Sequence, residues 1–236
     1  MSGPVTPVVP DAALHSPLPV TVGPSGMQGL LGVPHQPRAL IVFAHGSGSG
    51  RLSPRNNHVA AGLRAAGLAT LLIDLLTPAE EADRANVFDI ALLAQRLAQA
   101  CDWAAQVPAL AGLPVGYFGA STGAGAALRA AAESDGRIYA VVSRGGRPDL
   151  AGSAALAQVH APTLLLVGGD DGVVIDLNRD AMRQMHCATN LVIVPHAGHL
   201  FEEPGTLDSV IRHATHWFID HLPIAIQHLS NGRLSL

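Results

Sequence analysis

The chain has 236 residues, 48% of them hydrophobic; that length fits one domain, and that apolar content builds a sizeable core and excludes a disordered chain. The formal net charge is −4 with no basic run, so neither nucleic acid nor an anionic membrane surface is expected as a partner. Lysine is absent, which removes Schiff-base chemistry, the Walker phosphate loop and a Ser-Lys dyad.

Residues 1–19 are proline-rich and unpatterned and read as an extended arm, followed by a single domain over 20–222 and a tail over 223–236. No basic stretch leads into an apolar run near residue 1, so no secretion signal is expected. Residues 20–31 can hold an edge strand or hairpin. Residues 39–44 are continuously apolar and of strand length, as in a strand buried on both faces. They run into the glycine-rich loop His45-Gly46-Ser47-Gly48-Ser49-Gly50.

A helix pattern over 57–66 closes at Gly67, and 69–73 is a second buried strand ending at Asp74. Residues 77–86 are polar and acidic and predict a loop, and 88–106 show helical spacing. Strand 115–119 and helix 122–132 follow, then strand 139–143, strand 163–167, a helix over 177–185, strand 191–194 and a closing amphipathic helix over 206–222. Strands alternating with helices predict an α/β protein with a mostly parallel, doubly wound sheet and helices on both faces. Cys101 and Cys187 lie far apart and are expected as buried free thiols, which suits a reducing, cytoplasmic compartment.

The chemistry centres on Gly119-Ala120-Ser121-Thr122-Gly123. An apolar strand precedes it and an alanine-rich helix follows, so the serine sits on a sharp strand-to-helix turn above a helix N-terminus. A serine hydroxyl needs an imidazole to take its proton, and the imidazole needs a carboxylate to fix its tautomer. His199 lies after the last strand and is the expected base, with His196 its competitor. The turn Gly168-Gly169-Asp170-Asp171-Gly172-Val173-Val174 offers two acids; the spacing favours Asp171, with Asp170 as a turn residue.

Two N–H donors are expected for the developing oxyanion, from Thr122 and from Ser47. His45 and Gly46 are expected to contact substrate or support that loop. Arg144 has two readings, either recognition of a substrate carboxylate or a salt bridge to Asp149, Glu202 or Glu203, and the salt bridge is preferred. Metal binding at His196-x-x-His199 or His213-x-x-His216 has little support, since no His-Glu-x-x-His motif or cysteine partner accompanies them. No metal or cofactor is expected.

Several motifs together carry a resemblance: His45-Gly46-Ser47-Gly48-Ser49, Ser53-Pro54-Arg55-Asn56, Gly119-Ala120-Ser121-Thr122-Gly123, Ser143-Arg144-Gly145-Gly146-Arg147-Pro148-Asp149 and His199-Leu200-Phe201-Glu202-Glu203-Pro204-Gly205. Over about residues 39–222 the chain resembles the dienelactone hydrolase-like branch of the α/β-hydrolase superfamily. The resemblance implies an α/β-hydrolase fold without a large cap domain and a nucleophile–acid–histidine triad working without cofactor. Dienelactone hydrolases proper carry cysteine as nucleophile where this chain has Ser121, and their substrate-binding arginines are not carried over. The expected activity is therefore hydrolysis of a small-molecule carboxylic ester or lactone by Ser121, His199 and Asp171. Acyl transfer, phosphoester or phosphotriester hydrolysis on the same residues, or a non-catalytic binding protein of this fold, are the alternatives. A monomer and a homodimer both remain open.

Overall fold

The computed structural model describes residues 16–223. The arm expected over 1–19 falls mostly, and the tail over 223–236 almost wholly, outside these residues. Eight strands form one sheet: β1 (Leu18–Val22), β2 (Met27–Gly32), β3 (Leu40–Ala44), β4 (Ala69–Ile73), β5 (Val115–Ala120), β6 (Ile138–Arg144), β7 (Thr163–Gly168) and β8 (Thr189–Val194). Their spatial order is β1-β2-β4-β3-β5-β6-β7-β8. The hairpin β1–β2 is antiparallel and joins β4 antiparallel, while all other pairs are parallel. The inner strands β3 and β4 are buried at every residue, which is why they read as unbroken apolar runs.

Eight α-helices accompany the sheet among the described residues: α1 (Pro54–Ala65), α2 (Pro78–Glu81), α3 (Arg84–Val87), α4 (Ile90–Ala105), α5 (Thr122–Ala132), α6 (Ser153–Gln158), α7 (Gly172–Met182) and α8 (Thr206–Asp220). On one face, Val59 and Leu63 of α1 and Val210, Ala214 and Phe218 of α8 share a core with Ile41, Phe43, Phe118 and Val142. On the other, Leu93 and Leu97 of α4 and the alanines of α5 pack on Leu40, Val42, Leu71 and Tyr117.

Three expectations shift. The predicted loop over 77–86 holds the short helices α2 and α3; Thr77 and Glu80 form a reciprocal cap at the start of α2. The helix expected from 57 begins at Pro54, capped by Ser53, because proline suits a first helical turn. The helix expected from 177 begins at Gly172, directly after Asp171.

The two cysteines are free. Burial pushes the Cys101 thiol up to about 11, and it lies 3.1 Å from the Tyr117 hydroxyl. No helix among the described residues is long and apolar enough to cross a membrane.

Candidate active site

The direction of chain progression reverses at β3, which lies between β4 and β5. Beyond the carboxyl ends of β3 and β5 the diverging loops leave a crevice, where open α/β sheets bind ligands. The loop after β3 and the turn after β5 both open there.

Ser121 sits at the apex of that second turn with φ 49° and ψ −123°, a left-handed conformation that a non-glycine residue holds only at a cost. Neighbouring backbone holds it in place: its N–H donates to the Arg144 carbonyl at 3.2 Å, and its carbonyl accepts from the Arg147 N–H at 3.0 Å. Gly123 lets α5 start against β3, since a Cβ there would lie 2.2 Å from the Ala44 carbonyl oxygen. Gly46 likewise passes over the serine; a Cβ there would meet the Ser121 Cβ at 3.0 Å.

His199 and Asp171 complete the cluster. The His199 Nε2 lies 3.3 Å from the Ser121 Oγ, and its Nδ1 lies 2.6 Å from Asp171 Oδ2. With a carboxylate on Nδ1, that nitrogen carries the proton and Nε2 is free to accept one. Asp171 is mostly buried, its side chain 16% exposed, while the His199 ring is 38% exposed and open to the cavity. Asp170 instead spends its N–H on the Ala197 carbonyl. His196 is exposed in a left-handed turn ahead of His199.

Thr122 is the first residue of α5, so its N–H has no partner within the helix. No backbone carbonyl among the described residues accepts the Thr122 or the Ser47 N–H. His45 faces away from the serine: its Nε2 accepts the Leu75 N–H at 3.1 Å, so its proton sits on Nδ1, which lies 2.9 Å from the Gly46 carbonyl. It ties the Gly46–Gly50 loop to the end of β4.

The salt bridge preferred for Arg144 does not form. Asp149 pairs with Arg147, Glu202 pairs with Arg55, and Glu203 accepts the Gly198 N–H at 3.0 Å. Arg144 is only 7% exposed and lines a cavity of about 610 Å³ together with Gly46, Ser47, Ser121, His199 and Leu200. Each expected carboxylate is engaged by another donor.

One supporting residue escapes a reading of motifs, and another takes a different role from the one expected. Asn178 of α7 is fully buried and donates to the Gly146 carbonyl at 2.9 Å and the Val174 carbonyl at 2.8 Å, pinning the turn after β6. Its signal in sequence is a polar residue on the helix face of Val174 and Ala181. Glu203 holds the loop that carries His199. Among the described residues no three His, Cys, Asp or Glu side chains converge as a metal site.

No protein-family model matches the chain. A solved dienelactone hydrolase from Anabaena variabilis is 53% identical with a TM-score of 0.83, covering 89% of this chain and 100% of that one. A dienelactone hydrolase-like promiscuous phosphotriesterase from metagenomic libraries shares the fold at 18% identity, with a TM-score of 0.70 over 88% of this chain and 99% of that one. Curated relatives from two Mycobacterium tuberculosis strains are 58% identical over 217 residues, 90% of this chain, and carry the provisional name of a phosphoribosyl transferase. The chain spans 49% of the length of those relatives.

Proposed function

The chain belongs to the dienelactone hydrolase family and has the α/β-hydrolase fold without a large cap among its described residues, and from that premise we propose that it is a serine hydrolase of carboxylic esters or lactones. Ser121 Oγ attacks the ester carbonyl carbon while His199 Nε2 takes its proton. Asp171 steadies the imidazolium through Nδ1–H. The oxyanion is held by the Thr122 and Ser47 N–H groups. Collapse of the tetrahedral adduct breaks the bond to the alcohol oxygen, which leaves with the proton from His199. Water then repeats the sequence on the acyl-enzyme and releases the acid.

The observation that carries this reading is the continuous line from carboxylate to imidazole to hydroxyl, 2.6 Å and then 3.3 Å, ending at a serine in a strained left-handed turn. A recess that shares the Gly46–Gly50 loop is lined by Arg51, Asp74 and Glu81 as well as by Leu75, Leu76, Val87 and Leu93, and these four give an acyl group an apolar wall.

A fluorophosphonate probe is expected to label the wild-type protein once, at Ser121, and to leave Ser121→Ala unlabelled. A panel of nitrophenyl esters and lactones then finds the preferred acyl group. An unlabelled wild type with no turnover across the panel would remove this reading.

The name of the Mycobacterium tuberculosis relatives suggests phosphoribosyl transfer. We assign that chemistry to the half of those relatives that this chain does not span. Release of diphosphate from phosphoribosyl diphosphate by this chain would reverse the assignment.

A further inference from the structure

Arg144 ends β6, directly beside the strand end that carries Ser121. Burial foremost, and then the nearby Arg55 charge, lower its pKa to about 10, still well above neutral pH, so it is a cation there. Among the described residues no carboxylate pairs with it, and its buried Nη1 has no hydrogen-bond partner. A charge held out of water without a counter-ion is among the most costly arrangements in a protein. It persists chiefly where function requires it.

A second, independent feature meets it in the same cavity. Ser53, Pro54 and Arg55, the cap and first turn of α1, line that cavity. The helix is 12 residues long and has no acidic residue in its first turn to offset the positive end of its dipole. No backbone carbonyl among the described residues accepts the Arg55 N–H. The Arg55 guanidinium binds exposed Glu202 at 2.5 Å through Nη1, while its Nε is buried and unpartnered.

The geometry points to a phosphate-binding subsite formed by Arg144, Arg55 and the first turn of α1, beside the candidate nucleophile. It rests on the hydrolase reading and narrows it: the substrate is a carboxylic ester that carries a phosphate monoester elsewhere in its body. The ester bond breaks at Ser121, and the phosphate stays attached as a handle. Two guanidinium groups and a helix N-terminus match a dianion with three acceptor oxygens better than a carboxylate, which has one charge and two. The cavity, at about 610 Å³, has room for both groups.

The test measures binding apart from turnover. Phenyl phosphate, benzoate and inorganic phosphate are titrated by calorimetry into wild type, Ser121→Ala, Arg144→Gln, Arg144→Lys and Arg55→Gln. Phenyl phosphate is expected to bind wild type and Ser121→Ala alike, and tighter than benzoate. Arg144→Gln should weaken it by about tenfold or more, the loss of one charge-assisted contact, with Arg144→Lys intermediate. Arg55→Gln should weaken it too. In kinetics, the ratio of KM for a neutral nitrophenyl ester to KM for its phosphorylated counterpart should collapse in Arg144→Gln.

Benzoate binding as tightly as phenyl phosphate, or Arg144→Gln binding it as wild type does, would overturn the subsite even if the enzyme is a good esterase. Conversely, an unlabelled Ser121 with intact, Arg144-dependent phenyl phosphate binding would sink the hydrolase reading and leave the subsite standing. Saturable binding of inorganic phosphate would identify the free ion as an alternative occupant and overturn the ester-borne phosphate if phenyl phosphate binds no tighter.

Discussion

Two neighbouring aspartates at one strand end have opposite surroundings. Asp171 presents a carboxylate to the His199 ring at 2.6 Å, while Asp170 serves the turn through its backbone N–H. Asp171→Asn is therefore expected to lower kcat for ester hydrolysis by roughly 10⁴-fold, as wrong-tautomer substitutions do, with Asp170→Asn within about tenfold of wild type. The reverse ranking in steady-state kinetics would move the role to Asp170. Arg144 has a stability signature of its own. Its pKa is lowered by folding, so below about pH 10 both folded and unfolded chains hold the proton and the folded state bears the full cost of the buried charge. Above that pH the folded state sheds the proton first, and the cost is relieved. Arg144→Gln should raise the melting temperature at pH 7 to 9, by about 2–4 °C for each kcal/mol relieved, and the gain should shrink above pH 10. Calorimetry across that range that found the variant less stable throughout would assign Arg144 a packing role.

At the scale of elements, the candidate site depends on helix residues that lie outside its cavity. α7 begins at Gly172, immediately after Asp171, and four residues beyond Val174 its Asn178 reaches across to the turn after β6. That turn supplies the Arg147 N–H to the Ser121 carbonyl. Asn178→Ala leaves the Gly146 carbonyl without this donor in a buried place, which costs about 1–3 kcal/mol. It should also lower kcat for ester hydrolysis, because the strained serine loses a support. A melting temperature and kcat both equal to wild type would show that the β6 turn holds itself. α5 is built almost wholly from glycine and alanine, and its small side chains let the helix start tight under Ser121.

For the whole molecule, the sheet order sets the geometry: β3 lies between β4 and β5, and the loops diverging there leave the crevice. The chemistry proposed for it uses only side chains and backbone N–H groups of the chain. Since no three ligating side chains converge among the described residues, EDTA is expected to leave ester hydrolysis unchanged. Activity lost to the chelator and restored by zinc would refute that expectation. Phenyl phosphate at a hundredfold excess over its dissociation constant should stabilise the protein by about 2.7 kcal/mol through linkage, a rise that a tenfold weaker Arg144→Gln should cut to about 1.4 kcal/mol at the same concentration.

Patterns local in the chain were legible before any fold was known. Unbroken apolar runs announced the inner strands, and the glycine-flanked serine between strand and helix announced the turn at Ser121, because steric limits on φ leave few residues able to build it. The order of serine, aspartate and histidine, with several motifs beside it, led to the family. Helix starts were less legible: Pro54 lies outside its expected helix and Gly172 within an expected turn, since capping is decided by which N–H groups lack partners in three dimensions. Charge partners were not legible at all. Asp149 follows Arg144 closely in sequence and Glu202 and Glu203 follow the last strand, yet Arg147, Arg55 and the Gly198 N–H reach them instead. Sequence lists the charges; only the packing of β6 beneath the loops decides which are left in the dark without a counter-ion, because desolvation depends on every neighbour at once.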